Sequence, residues 1–368
     1  MRELHIEWFS TSDGSGEQVR RVEHLVKATL CLSLFAGLLS EAADLQLPAL
    51  TGNSAEIVSN GGVMPDDETI LGGLAWAPNS PIPIEYGLTQ TTTVAADDGL
   101  LYIIGGGLGL RPDVRSDQLL SYDPRSDTYS TLAPIPIPDG ISAYGAAVAI
   151  GTYLYVFGGF SGISFPVYLQ SLWIYDTIND AWITGRDMPA QRYGSAVGVV
   201  NGKIIIAGGG TTVVQTSTWI YDPGSDSYIT VAEMPNGFLT YRIHGVGLSD
   251  RGDAGQFHAL AGGPNGTGHF IYDFATNRWS TGPPIPFGIT DPGVATLGSK
   301  IYVTGGVPPA RGRLQTFNLD SNTWSQGPMM PAPVNNTSAA MTADGVIYNI
   351  GGSNGSEAIP FNQCIVVP

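Results

Sequence analysis

Residues 144–189 read YGAAVAIGTYLYVFGGFSGISFPVYLQSLWIYDTINDAWITGRDMP. Runs of β-branched and aromatic residues alternate with Gly, Asp and Pro, the pattern of short strands joined by turns. In chain order we label the strands a (from Tyr144), b (ending at Gly158-Gly159), c (LWIYD) and d (carrying Trp182 and finishing at Pro189). The next stretch repeats the order as YGSAVGVVNGKIIIAGG, TWIYDP and DSYITVAEMP. An aromatic residue followed seven positions later by proline occurs six times: Trp76…Pro83, Tyr129…Pro136, Trp182…Pro189, Tyr228…Pro235, Trp279…Pro286 and Trp324…Pro331. Six diglycines interleave with them, beginning at Gly105, Gly158, Gly208, Gly262, Gly305 and Gly351. Such fixed spacing means one supersecondary unit built six times.

The repeat fills nearly all of the 368 residues after residue 75. The 49 Gly and 26 Pro are spread evenly between apolar runs, so they punctuate an all-β chain and do not mark low complexity. Sixteen Lys+Arg stand against 32 Asp+Glu, a formal charge of −16. Such a surface repels phosphate backbones, and no basic cluster offsets it, so no nucleic-acid partner is expected.

Residues 28–39 (ATLCLSLFAGLL) form an apolar run preceded by Arg20, Arg21 and Lys27. As a helix the run rises about 18 Å, short of a roughly 30 Å hydrocarbon core, so no transmembrane segment is expected. It reads as the hydrophobic part of a signal peptide over residues 1–42, with Ser40 and Ala42 placed for cleavage after Ala42. The leader is atypically long and contains Glu3, Glu7, Asp13, Glu17 and Glu23. The alternative is a short N-terminal helix in a cytoplasmic protein. Residues 43–75 then form an extension and 76–368 the repeat domain. Cys31 would leave with the leader and Cys364 would stand alone, so no intrachain disulfide is expected.

The spacing has physical causes. Glycines at the end of strand b allow a close backbone approach that a Cβ would obstruct. Asp after Tyr at the end of strand c builds a turn from side chain to backbone. The aromatics of strand d are expected to fill the gap between sheets, each burying about 150–250 Å². Trp76…Pro83 precedes the first of these six diglycines, and no aromatic–proline pair follows the last. The N-terminal d strand should therefore complete the C-terminal unit and close six units into a ring. The alternative is a seventh blade hidden in residues 44–73, but the IVSNGG there, at residues 57–62, lacks the other marks.

Diglycine, Tyr-Asp and then Trp about seven residues on, in a roughly 50-residue period, resemble the kelch repeat. The resemblance covers residues 76–368 and implies an all-β, six-bladed kelch-type β-propeller with one four-stranded antiparallel sheet per blade. Departures are small: Tyr129 and Tyr228 replace Trp, and Phe317-Asn318 and Phe361-Asn362 replace Tyr-Asp.

Strand direction alternates, so the b–c and d–a connections emerge on one face. The b–c loops there are long in blades one (GLGLRPDVRSD) and two (FSGISFPVYLQ) and vary elsewhere. Variable loops on a rigid scaffold are where binding usually sits. The starts of strand a line the central opening on the same face. They supply Glu85, Tyr86, Tyr144, Arg192, Tyr193, Arg242, His244 and Asp291 as candidate ligand-binding residues. Tyr168 and Arg313 on b–c loops would widen that surface. The competing reading is that Tyr-Gly merely starts strand a and that Arg192 pairs with a neighbouring acid. Four N-glycosylation patterns, at Asn265, Asn335, Asn336 and Asn354, also fall on this face.

His244, His258 and His269 lie on three strands of blade four and are not expected to converge on one ion at about 2 Å. The kelch-type copper radical oxidases, which this architecture resembles, need a tyrosine cross-linked to cysteine and two histidines near the axis. Cys364 has no second cysteine beside it, so neither metal nor cofactor is expected. Resemblance to the kelch-type sialic-acid mutarotases implies an alternative, a sugar-modifying enzyme with Glu85, Arg192 and Asp291 as acid–base residues. The main expectation is an exported, monomeric binding module for an extracellular protein or glycan.

Overall fold

A computed structural model of the protein describes residues 74–84, 87–108, 116–137, 146–161, 167–235, 243–249, 255–262, 265–289, 291–305, 312–354 and 356–368. The leader, nearly all of the extension, IVSNGG, and the candidates Glu85, Tyr86, Tyr144 and Arg242 lie outside these residues. The described residues form six four-stranded antiparallel sheets, the blades of a β-propeller.

Blade two pairs Ala147–Ile150, Tyr153–Phe157, Leu172–Asp176 and Ala181–Thr184 as strands a to d. Blade four pairs His244–Leu248, Gln256–Leu260, His269–Asp273 and Arg278–Thr281 in the same order. In blade six, strands a to c are Ser338–Met341, Val346–Ile350 and Asn362–Val366, and strand d is Trp76–Pro78. The N-terminal strand thus closes the ring as expected, with Trp76 opposite Ile365 and Pro78 opposite Gln363. Across the closing seam, Ser338 Oγ lies 3.0 Å from Thr91 Oγ1 and 2.6 Å from Thr93 Oγ1.

The aromatic packing differs from expectation in one respect. The rings near the end of strand c, at Tyr122, Tyr175, Tyr221, Tyr272 and Phe317, are fully buried. The d-strand aromatics pack on them at 4.7–5.3 Å between centroids, and Tyr129, Trp182, Tyr228, Trp279 and Trp324 all stay half-buried. Strand d is the outer edge of its blade, so these five side chains keep one side toward solvent, whereas Trp76 on strand d of blade six is buried.

A reciprocal clamp joins neighbouring blades. In the c–d turn of blade two, Asp180 adopts φ 49° and accepts hydrogen bonds from Tyr175 Oη (2.6 Å) and the Ala133 amide of blade one (2.7 Å). Trp182 Nε1 donates to the Ala133 carbonyl at 2.8 Å. Asp127 with Ser80, Asp226 with Arg186 and Asn277 with Ala232 repeat the arrangement. Asp and Asn tolerate the left-handed φ the turn needs and carry the acceptor oxygen, which explains their place here.

The diglycines also serve close approach. Gly158 adopts φ 58°, and a Cβ there would collide with the Arg192 carbonyl. In blade four the repeat is displaced by one residue. Ala261 (φ 68°) holds the place that Gly158 or Gly208 takes elsewhere, since Leu260 opposite His269 matches Ala207 opposite Thr218.

Candidate functional site

The six a strands stand innermost and wall a central cavity of about 280 Å³. Its lining is mostly small: Ala147, Gly198, Gly245, Gly247, Ala295 and Ala339 sit beside Thr91, Thr93, Thr296 and Ser338. His244 is the titratable member of the wall, half-buried there, and desolvation pushes its imidazole down to about 4, so it is neutral near pH 7. The hydroxyl cluster of Thr91, Thr93 and Ser338 was not anticipated. Its signal in the sequence is the run Thr91-Thr92-Thr93 at the start of a strand whose alternate side chains must face the channel.

The described candidates do not converge on one mouth. Arg192 is 1 % exposed. Its guanidinium stacks on Trp219, 3.6 Å from the ring centroid, and Nη1 donates to the Gly208 and Ser217 carbonyls at 2.8 and 2.7 Å. Nη2 donates to Ser217 Oγ. No carboxylate among the described residues pairs with it, so the expected acid partner is replaced by carbonyls and an indole face. Burial lowers its pKa to about 10, still charged at neutral pH. Its backbone also stitches blade two to blade three, donating to Leu169 O and accepting from Gly159 N. Asp291 is likewise buried, at φ 52°. Two of the three residues of the sugar-enzyme alternative are thus interior, and the third, Glu85, lies outside the described residues.

Tyr193 is placed differently. It begins the d–a entry to blade three and pairs through its backbone with Gly210 at 3.0 Å in both directions. Its ring stacks on Tyr168 (5.5 Å, 17°) and meets the edge of Phe160 (5.4 Å, 78°). Phe160–Ser161 and Val167–Tyr168 form a two-stranded ribbon in the b–c connection of blade two. All three rings are half-buried; Val167, next to Tyr168, is 54 % exposed, and Val213, three residues after the Tyr193 backbone partner Gly210, is 61 % exposed. Phe160 and Val213 were missed because an isolated apolar residue in a loop carries no periodic signal. Arg313 turns back onto its own blade, 4.3 Å from the Phe287 ring centroid.

The three blade-four histidines do not gather at one point, but His258 and His269 meet each other. His258 Nδ1 lies 2.8 Å from His269 Nε2, deep between blades four and five. Both project to the same side because they are diagonal neighbours on strands b and c. His244 pairs with Leu260 and stays at the channel. Among the described residues no group of three or more His, Cys, Asp or Glu gathers in metal-binding range, and no helix is long and apolar enough to cross a membrane.

The Kelch motif family model matches residues 91–136, 142–189 and 191–235, which are blades one, two and three. Kelch-like protein 35 of Mus musculus is 29 % identical over 134 residues, covering 36 % of this chain and 21 % of that protein. Kelch-like protein 15 of Danio rerio is 26 % identical over 256 residues, covering 61 % of this chain and 41 % of that protein. The chain therefore spans between a fifth and two fifths of the length of these relatives. The solved structure of YjhT superposes with a TM-score of 0.63 at 16 % identity, covering 78 % of this chain and 97 % of that one, a likeness of fold.

Proposed function

We propose, from the premise that this chain is a kelch-repeat β-propeller, that it is a binding module whose loop-rich face takes an extracellular protein. One observation carries this reading. The stacked Tyr168–Tyr193 pair with Phe160 on its edge is half-exposed on the face where the blades differ. Aromatic rings supply large contact area at small entropic cost and are enriched at interaction hot spots.

Export rests on the leader pattern of residues 1–42, and the module acts as a monomer. The mature chain, captured on resin and exposed to extracellular proteins of its source, should retain a defined partner. Tyr168→Ala with Tyr193→Ala should lose it while keeping the wild-type thermal transition. Equal retention by the double variant removes this face from consideration. A glycan array run on the same pair distinguishes a carbohydrate ligand. N-terminal sequencing of the secreted product tests the cleavage after Ala42.

A further inference from the structure

The clamp fails at the seam between blades four and five. Blade five ends strand c (Arg313–Asn318) with Phe317, which has no hydroxyl, and the blade-four residue facing its c–d turn is Pro283, which has no amide hydrogen. Both donors that Asp180 accepts in blade two are therefore absent here. Trp324 Nε1 still donates to the Pro283 carbonyl at 2.9 Å, and His269 Nδ1 joins it at 3.1 Å. Behind His269 stands His258, and each residue is 1 % exposed. Phe317 and Trp324 of blade five meet the His269 ring edge-on at 4.6 and 5.8 Å. The imidazole pair occupies the seam where the usual donors are missing.

The proton arrangement follows from the acceptor at its end. A carbonyl only accepts, so His269 Nδ1 carries a hydrogen, and a neutral His269 then has a bare Nε2. His258 must donate to it from Nδ1. The result is a one-way relay from His258 through His269 to Pro283. A first added proton on His269 Nε2 requires the His258 hydrogen to leave Nδ1 for Nε2. A second sets N–H against N–H across 2.8 Å. Interacting sites of this kind titrate as a pair.

We propose that the His258–His269 pair is an acid-operated latch, which holds blades four and five together when neutral and releases their seam when protonated. Other charged or titratable groups on the strands packed around it are few. His244 and Asp273 share its side of strands a and c, Arg278 stands on strand d, and Arg313 shares the Phe317 side of blade five. None adjoins the pair: His244 shares the row of His269 but stands across Leu260 from it, and Asp273 and Arg313 stand four residues from His269 and Phe317. Strands a and b of blade five present Val294, Ile301 and Val303 to this side. Desolvation also favours the neutral form, pushing His269 down to about 4.

The repeat itself supplies the control. At the positions of His258 and His269, blade one has Tyr102 and Leu119, blade two Tyr155 and Leu172, and blade five Tyr302 and Leu314. Amide hydrogen exchange of the full chain, corrected for intrinsic rate, should be compared at about pH 7 and about pH 4.5. Strands b and c of blade four should lose at least about tenfold more protection in acid than those of blades two and three, since each pKa unit is a tenfold change in equilibrium. His258→Tyr with His269→Leu should erase the difference. A uniform loss across blades, or a difference that survives in the double variant, overturns the latch. If that variant does not fold, ¹⁵N NMR of the wild-type imidazoles decides. Both Nδ1–H tautomers at neutral pH support the relay, and an imidazolium at neutral pH or an Nε2–H His269 refutes it.

Discussion

The indole N–H of Trp182 donates to the carbonyl of Ala133, 2.8 Å away in the preceding blade. Asp180, two residues earlier, takes the amide of that same Ala133. One peptide position is thus held from both sides by one turn of the next blade. Because the contact repeats around the ring, its strength can be probed one seam at a time.

Asp180→Ala should leave the buried Tyr175 hydroxyl and the Ala133 amide without their acceptor. An unmet buried donor costs about 1–3 kcal/mol, and the amide end is near water, so a loss of about 1–2 kcal/mol is expected. Asp180→Asn should lose far less, because Asn277 does the same work in blade four. Urea unfolding of both variants measures the contrast, and equal midpoints would contradict the clamp.

Phe317→Tyr should stabilise. Asn322 already holds the turn conformation of the clamp (φ 54°), and a hydroxyl at residue 317 would meet it as Tyr272 meets Asn277. One added hydrogen bond contributes about 0.5–1.5 kcal/mol. A lowered melting temperature would show that the hydroxyl finds no acceptor.

Arg192→Ala should be among the most damaging single changes, at about 3 kcal/mol or more. It strands the Gly208 and Ser217 carbonyls and uncovers the Trp219 face together. Arg192→Lys should recover only part of this, since an ammonium reaches one acceptor direction less well and cannot stack as a plane. Thermal unfolding with Trp fluorescence reads both. Wild-type stability of the Ala variant would mean that the buried guanidinium contributes nothing.

Acid should act in two windows. His269 titrates near 4 in the fold and near 6.5 unfolded, so between these values the unfolded chain binds more protons. Its contribution is complete above about pH 6.5 and is lost as pH falls through 4, on the order of 3 kcal/mol at about 1.4 kcal/mol per unit. Asp180 is held below its ordinary value chiefly by the Tyr175 hydroxyl and then by the Ala133 amide. Its contribution is present above pH 3.8 and disappears below that, in a second step. Stability measured by urea at intervals from about pH 7.5 to about pH 3 should fall first in the histidine window. A flat profile down to about pH 4 would contradict the first step.

The repeat was legible because its causes are local. Trp76…Pro83, ahead of the first of the six repeat diglycines, announced the ring closure, and Trp76 pairs with Ile365 as that asymmetry requires. Gly158 and Asp180 were readable for the same reason: a left-handed φ restricts residue type at the position itself. The displaced repeat in blade four was not, because Ala261 in a left-handed conformation is tolerated only by surrounding contacts. The candidate site was half legible. Tyr193 stands in a half-buried aromatic cluster and His244 at the channel, whereas Arg192 turns inward onto Trp219.

The sequence by itself determined the number of blades, the strand order within each and the way the ring closes, since spacing and turn chemistry act along the chain. Only the tertiary structure decided which way side chains of equal spacing turn, and therefore which of them meet. Arg192 and Tyr193 are neighbours with opposite fates, one stacked inside blade three and one at the surface. His258 and His269 are eleven residues apart and share a hydrogen bond. The pleat and register of neighbouring strands bring such pairs to one side of a blade, and the packing of the next blade then sets what they are worth.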